Sequence, residues 1–185
     1  MVRTKYYESP IGEIMLAADE KGLVGLWLPG QMNEEDLMKA KGKKASDETE
    51  GEKAEAEAHL AKTAEWLDEY FAGKNPDPKG LKLNASGTEF QKQVWSRLSE
   101  IPYGQVTSYS KIAAEVAEIR GIERMSSRAV GAANGQNPIS IIVPCHRVIG
   151  SNGHLTGYGG GLPLKKWLLQ HEGISIEGDQ VRDNK

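Results

Sequence analysis

Cysteine occurs once in these 185 residues, at position 145. That excludes an intrachain disulfide and a multi-cysteine zinc centre, and it fits a reducing compartment. No apolar run approaches the roughly 18–20 residues needed to span a bilayer. The opening stretch, MVRTKYYESP, lacks the apolar core of a signal peptide. The expectation is a cytoplasmic protein with no membrane partner. A basic surplus is missing as well: 23 Lys+Arg stand against 26 Asp+Glu, a net charge of −3, which excludes a uniformly basic nucleic-acid coat.

What is present suits one compact domain or two small ones. The charge is unevenly placed. Residues 1–80 carry 11 Lys+Arg and 17 Asp+Glu, whereas residues 81–185 carry 12 and 9, so the two parts face different partners. Residues 2–8 and 12–18 read as strands around the turn Ser9-Pro10-Ile11-Gly12, and Leu23 to Leu28 as a third after Asp19-Glu20-Lys21-Gly22. A small antiparallel sheet is expected. From Gln31 to about Ala58 the chain is rich in Glu, Lys and Ala without apolar periodicity, the pattern of a solvated connector or a frayed helix. Leu60, Ala64, Leu67 and Phe71 then recur at helical spacing, with Gly73 as the stop. The two prolines of KNPDPK, 74–79, mark a boundary between a domain at 1–79 and a domain at 80–185.

In the second part Thr88 and Gln91 form a capping-box start for a helix carrying Phe90, Val94 and Leu98 on one face. A second helix begins near Ser108, with Tyr109, Ile112, Ala113 and Val116 in its stripe. A third runs from Ser126 or Ser127 to Asn134 and is unusually rich in small residues, Ala129, Gly131, Ala132 and Ala133, which permit close backbone approach. Two short helices with an arginine near the start of the second suggest a helix-turn-helix. Ile139 to Val143 reads as a buried strand ended by Pro144. A Gly-rich loop spans 150–161, and Pro163 to His171 forms the last helix, with Trp167 and Leu168 facing inward.

The chemistry lies in Pro144-Cys145-His146-Arg147-Val148. A lone buried cysteine is normally an inert small hydrophobe. Here an imidazole and a guanidinium adjoin it, surroundings that favour the nucleophilic thiolate. A turn after Pro144 lets His146 fold back, and Glu172, at the end of the last helix, is the candidate to hold its other nitrogen. These residues describe a Cys-His-acid nucleophile, with hydrolase and transferase both open.

Three runs, IPYGQVTSY, SRAVGAANGQNPISIIVPCHRVIGSNG and GYGGGLPLKKWLLQHEG, resemble the methylated-DNA–protein-cysteine methyltransferases, the O6-alkylguanine-DNA alkyltransferases. The resemblance covers residues 88–173 strongly. It extends more loosely through SPIGEIMLAADEKGLVGLWL and WLDEYFAGKNP. It implies an α+β protein: a small ribonuclease-H-like α/β domain, then a mainly helical, winged-helix-like domain holding the helix-turn-helix. It also implies a monomer without cofactor that takes the alkyl group from O6-alkylguanine, and from O4-alkylthymine, in double-stranded DNA irreversibly onto Cys145. His146, through a water, accepts the thiol proton; Glu172 orients and charges the imidazole; Tyr109 donates to the flipped base; Asn137 ties the preceding loop to the active-site turn. Arg128 is the finger that fills the vacated stack, and Ala129, Ala132 and Gly135 pack against the minor groove. Val143, Pro144, Tyr158, Gly159 and Gly160 line the pocket.

Two departures stand out. Tyr109 and Arg128 are separated by 18 residues, more than the family pattern, so EIRGIERMSS is read as a lengthened turn whose Arg120 and Arg124 are either solvated or reach phosphates. The metal-binding residues of some relatives are absent, so no zinc is expected. The competing readings are a lesion-binding alkyltransferase-like protein without repair activity, a Cys-His-Glu hydrolase, and a sequence-specific regulator.

Overall fold

Turn chemistry shapes the first unit. In the computed structural model, which describes residues 1–31 and 49–182, the Ser9 hydroxyl donates to the Gly12 carbonyl at 2.6 Å and closes a hairpin between β1 (Arg3–Ser9) and β2 (Gly12–Asp19). Asp19 then accepts from the amides of Lys21 and Gly22 at 2.9 and 3.0 Å, turning the chain into β3 (Gly22–Trp27). The three strands form an antiparallel sheet in the order β1-β2-β3. β2 buries Ile14 to Ala18 almost completely. The free side of β3 receives two further segments. Leu23 N–H donates to the Lys82 carbonyl at 2.8 Å, while Leu26 N–H donates to Pro138 and the Leu26 carbonyl accepts from Ser140, which satisfies an otherwise open edge. Gly22 is required there: a Cβ at that position, φ +156°, would lie 2.5 Å from the Lys82 carbonyl oxygen.

Against this sheet packs α1 (Glu50–Phe71). Its inner face is Ala56, Leu60, Thr63, Trp66, Leu67 and Tyr70. Of the two readings of 31–58, a solvated connector or a frayed helix, residues 50–58 follow the second in being helical, though capped rather than frayed. A capping box joins Thr49 and Glu52, and the Ala-, Glu- and Lys-rich turns that follow propagate cheaply from a helix already fixed by its packed C-terminal half. The rest of the connector, 32–48, lies outside the described residues. No helix among the described residues is long and apolar enough to cross a membrane.

By contact density the chain divides into Met1–Ser86 with Pro138–Ser140, and Gly87–Asn137 with Ile141–Lys185. The second unit opens on α2 (Glu89–Leu98), where Thr88 and Gln91 form a reciprocal capping box. α3 (Tyr109–Arg120) is capped by Ser108 and ends at Gly121 in the left-handed conformation, φ +62°. α4 (Ser127–Gly135) is capped by Ser126. α3 and α4 pack on one another and both on α2, forming a helix-turn-helix; the Trp95 indole N–H donates to the Ala133 carbonyl at 2.8 Å and fixes the end of α4. The lengthened turn is shorter than expected, since Glu118, Ile119 and Arg120 continue α3. Arg120 is not simply solvated: it donates to Gln93 at 2.9 Å and lies over the Phe90 ring.

Beyond α4 the expected strand at 139–143 is absent. Only Ile139 pairs, with Leu26, and the remainder is a buried turn in which Ile141 adopts φ +68°. A β-branched residue in that region costs on the order of 1–3 kcal/mol. It persists here under nearly complete burial of the segment. A short parallel pair, β4 (Thr107–Ser108) with β5 (Val148–Ile149), sits beside α5 (Leu162–His171). A hairpin of β6 (Ile176–Glu177) and β7 (Gln180–Val181) follows.

Candidate active site

Pro144 does not end a ladder; it starts a turn. Its carbonyl accepts from Arg147 N–H at 3.0 Å, and Cys145 N–H donates back to Val143 at 2.8 Å, so Cys145–Arg147 form a single 3₁₀ turn. Within one turn, successive side chains fan out rather than alternate across a sheet. Asn137 holds the entry by donating to the Val143 carbonyl at 2.8 Å. Asn134, on the inner face of α4, donates to the Cys145 carbonyl at 3.3 Å.

Two side chains of this turn, those of His146 and Arg147, meet Glu172, just beyond α5. His146 Nε2 and Glu172 Oε1 are 2.6 Å apart, both side chains fully buried. His146 Nδ1 is also buried and meets no protein partner. Arg147 departs from expectation. Its guanidinium does not serve the sulfur but grips Glu172, Nε to Oε2 at 2.8 Å and Nη2 to Oε1 at 3.0 Å.

The charge near the sulfur comes instead from Lys165, which is wholly buried. Its ammonium donates to the carbonyls of Val148 at 2.6 Å and Thr156 at 2.9 Å, and approaches the Tyr109 hydroxyl at 3.5 Å. Tyr109, first residue of α3, itself donates to the Thr156 carbonyl at 3.2 Å. Sequence reasoning missed Lys165. The signal was available: positions 165, 168, 169 and 172 share one face of the last helix, and a lysine among leucines on that stripe has to be answered by acceptors.

Electrostatics define the resting state. Burial pushes the Cys145 thiol up; side-chain hydrogen bonds from Asn137 and Tyr158 and the Lys165 charge pull the other way without cancelling it. The resting group is thus a thiol, not the thiolate that its neighbours in sequence suggest. Burial also lowers His146, against the opposing hydrogen bond and charge of Glu172, with Arg147 and Lys165 lowering it further. Burial alone would raise Glu172, but His146 and Arg147 outweigh it and hold the carboxyl at about 2. Lys165 is pulled down by burial to about 8, the charge of Cys145 opposing. Lys165→Met should therefore slow the capture of Cys145 by iodoacetamide at pH 8 by roughly tenfold, because a charge that favours the thiolate is lost; timed mass spectra check it.

The remaining site residues fall in two groups. Val143, Pro144 and Cys145 are buried, Tyr158 is half-buried beside the sulfur, and Gly159 and Gly160 continue its loop. Arg128, Ala132 and Gly135 are exposed on one face of α4, with Ala129 half-buried. Val130, Ala133 and Asn134 occupy the opposite, buried face.

A buried thiol thus lies in the same turn as an imidazole–carboxylate pair, in a unit built on a helix-turn-helix. Comparison with known proteins gives the family. Residues 2–85 match the 6-O-methylguanine DNA methyltransferase ribonuclease-like domain, and residues 89–174 match the DNA binding domain of the same name. A methylated-DNA–protein-cysteine methyltransferase of Methanosarcina acetivorans is 46% identical over 169 residues, 90% of this chain and 96% of that protein. One from Mycolicibacterium paratuberculosis is 41% identical over 93% of both. The crystal structure of Mycobacterium tuberculosis O6-methylguanine methyltransferase superimposes with a TM-score of 0.72 at 38% identity over 93% of both chains. A structure of the M. tuberculosis protein in complex with DNA gives 0.68 at 38% identity, over 92% of this chain and 91% of that one. The chain belongs to the O6-methylguanine DNA methyltransferase family.

Proposed function

We propose that this protein repairs DNA by transferring the alkyl group of O6-alkylguanine, and of O4-alkylthymine, to Cys145, each chain acting once and as a monomer. The observation that carries this is the buried Cys145 in the same turn as His146, whose Nε2 is engaged by Glu172 at 2.6 Å. His146 Nδ1, the nitrogen that Glu172 leaves available, takes the thiol proton through a bridging water. The thiolate attacks the saturated alkyl carbon; the S–C bond forms, the C–O6 bond breaks, and its electron pair goes to the purine. The departing guanine is stabilised and protonated from the Tyr109 hydroxyl. The resulting thioether is not hydrolysed, so the protein is spent.

Guanine O6 is out of reach within a stacked duplex, so the base must be extruded. Arg128 fills the gap, while Ala129, Ala132 and Gly135 allow α4 to lie along the minor groove, whose degenerate pattern suits a protein that binds any sequence. Val143, Pro144 and the loop of Tyr158, Gly159 and Gly160 surround the extruded base, and Asn137 holds the turn beneath it.

The test is the intact mass after incubation with a duplex carrying O6-methylguanine. One methyl per chain, then no further change, is expected, with Cys145→Ala binding the duplex but gaining no mass. Turnover beyond one equivalent would sink the single-use reaction, and a hydrolase would show it on small esters without DNA.

A further inference from the structure

Glu172 is saturated with donors. Oε1 accepts from His146 and from Arg147 Nη2, while Oε2 accepts from Arg147 Nε at 2.8 Å and from the Gly104 amide at 3.4 Å. Arg147 is equally constrained. Its Nη1 donates to the Ile101 carbonyl at 2.7 Å, its guanidinium lies 5.8 Å from the Tyr103 ring centroid, and the residue is only 8% exposed. The Ile101–Gly104 turn, remote in sequence from Cys145, is thus the back wall of the base.

A fork of this kind is more than a strut. A buried carboxylate holding only an imidazole would carry an uncompensated negative charge, and the pair would bind a proton to remove it. A base that already holds its proton cannot accept one from a thiol. With the guanidinium in place, carboxylate and guanidinium cancel. A proton on His146 would then put a positive charge beside Arg147 and the buried Lys165. The charged groups acting on the imidazole are Glu172, Arg147 and Lys165, with Cys145 its neighbour in the chain; Tyr103 faces the guanidinium.

We propose that Arg147 is a positioning residue for the general base: locked across both oxygens of Glu172 and braced by Ile101 and Tyr103, it neutralises the carboxylate so that His146 waits uncharged to receive the thiol proton. This rests on Cys145 being the nucleophile, not on the identity of the alkyl donor. Histidine and carboxylate titrate here as one unit, so removing the guanidinium raises the pH at which that unit gives up its proton, whichever member carries it.

The experiment follows the pH dependence of Cys145 capture by iodoacetamide, which needs no DNA, beside single-turnover methyl transfer from O6-methylguanine duplex. Relative to wild type, Arg147→Met should be slowed roughly tenfold or more at pH 6 yet lie within about threefold at pH 8.5, and Arg147→Lys, which keeps the charge, should retain the wild-type pH dependence at a lower rate. A uniform loss at every pH in folded Arg147→Met, or a profile displaced equally in Arg147→Lys, would overturn the proposal. Should Arg147→Met fail to fold, the wild type still decides. At about pH 6.5, where an ordinary imidazole is half protonated, the NMR signals of His146 should be those of the neutral ring, and a charged ring refutes the idea. If iodoacetamide behaves as expected while duplex DNA leaves Cys145 unmethylated, the repair function is wrong and the role of Arg147 stands.

Discussion

Glu172→Gln should slow methyl transfer from duplex DNA by roughly 10²- to 10⁴-fold, the range that a positioned general base contributes. Glutamine can still donate to or accept from His146, so ring position is largely kept; what is lost is the anion that makes the imidazole a base. The substitution also leaves Arg147, gripped through two hydrogen bonds to Glu172, as a buried charge without its partner, which typically costs about 3–5 kcal/mol. The two consequences separate with pH. The folded-state carboxyl is depressed from 4.5 to about 2, so the unfolded chain binds a proton in that window that the native chain refuses. The stability this group contributes is therefore full above pH 4.5 and is lost as pH falls through 4.5 towards 2. Urea midpoints of wild type and Glu172→Gln should lie far apart at pH 7 and draw together as pH falls from 4.5 towards 2. Parallel curves would show that the carboxylate does not carry that stability, and near-normal transfer by the folded variant would remove Glu172 from the mechanism.

Local rules carried much of this architecture into the sequence. The Thr88–Gln91 box and the Ser108 cap depend on contacts within a few residues, and such contacts are readable from spacing. Charge-rich segments mislead because they lack an apolar stripe: within residues 50–58 only Ala56 is buried, and the order comes mainly from the packed turns that follow. The apolar run at 139–143 misleads in the opposite direction. Isoleucine and valine report burial, and neither distinguishes a strand from a buried turn held by Asn137 and a left-handed Ile141. In the site, His146 and Glu172 could be paired on chemistry alone. The partner of Arg147 could not, because its fork, the Ile101 carbonyl and the Tyr103 ring come together only through tertiary packing. Lys165 lies between these cases, its helical face legible and its carbonyl acceptors not.

Arg128→Ala is the sharpest test of how DNA engages the site, because its cost should depend on the substrate rather than on the protein. Arg128 is exposed at the second position of α4, so the melting temperature should be unchanged, surface substitutions of this kind lying within about 0.5 kcal/mol. Extruding a base from a duplex costs a few kcal/mol of stacking and pairing, and a side chain that occupies the vacated space returns part of it. Losing roughly 2 kcal/mol of that return corresponds to about a 30-fold slower transfer from duplex. Free O6-benzylguanine needs no extrusion and should react within about threefold of wild type, the thiol and its base being untouched. A duplex with the lesion opposite a mismatch should fall between the two, since its base is already partly unstacked. Equal losses on duplex and free base would mean that Arg128 acts on Cys145 or on the fold of α4 rather than on the stack. Equal rates on both, in wild type and variant alike, would move extrusion out of the rate-limiting step.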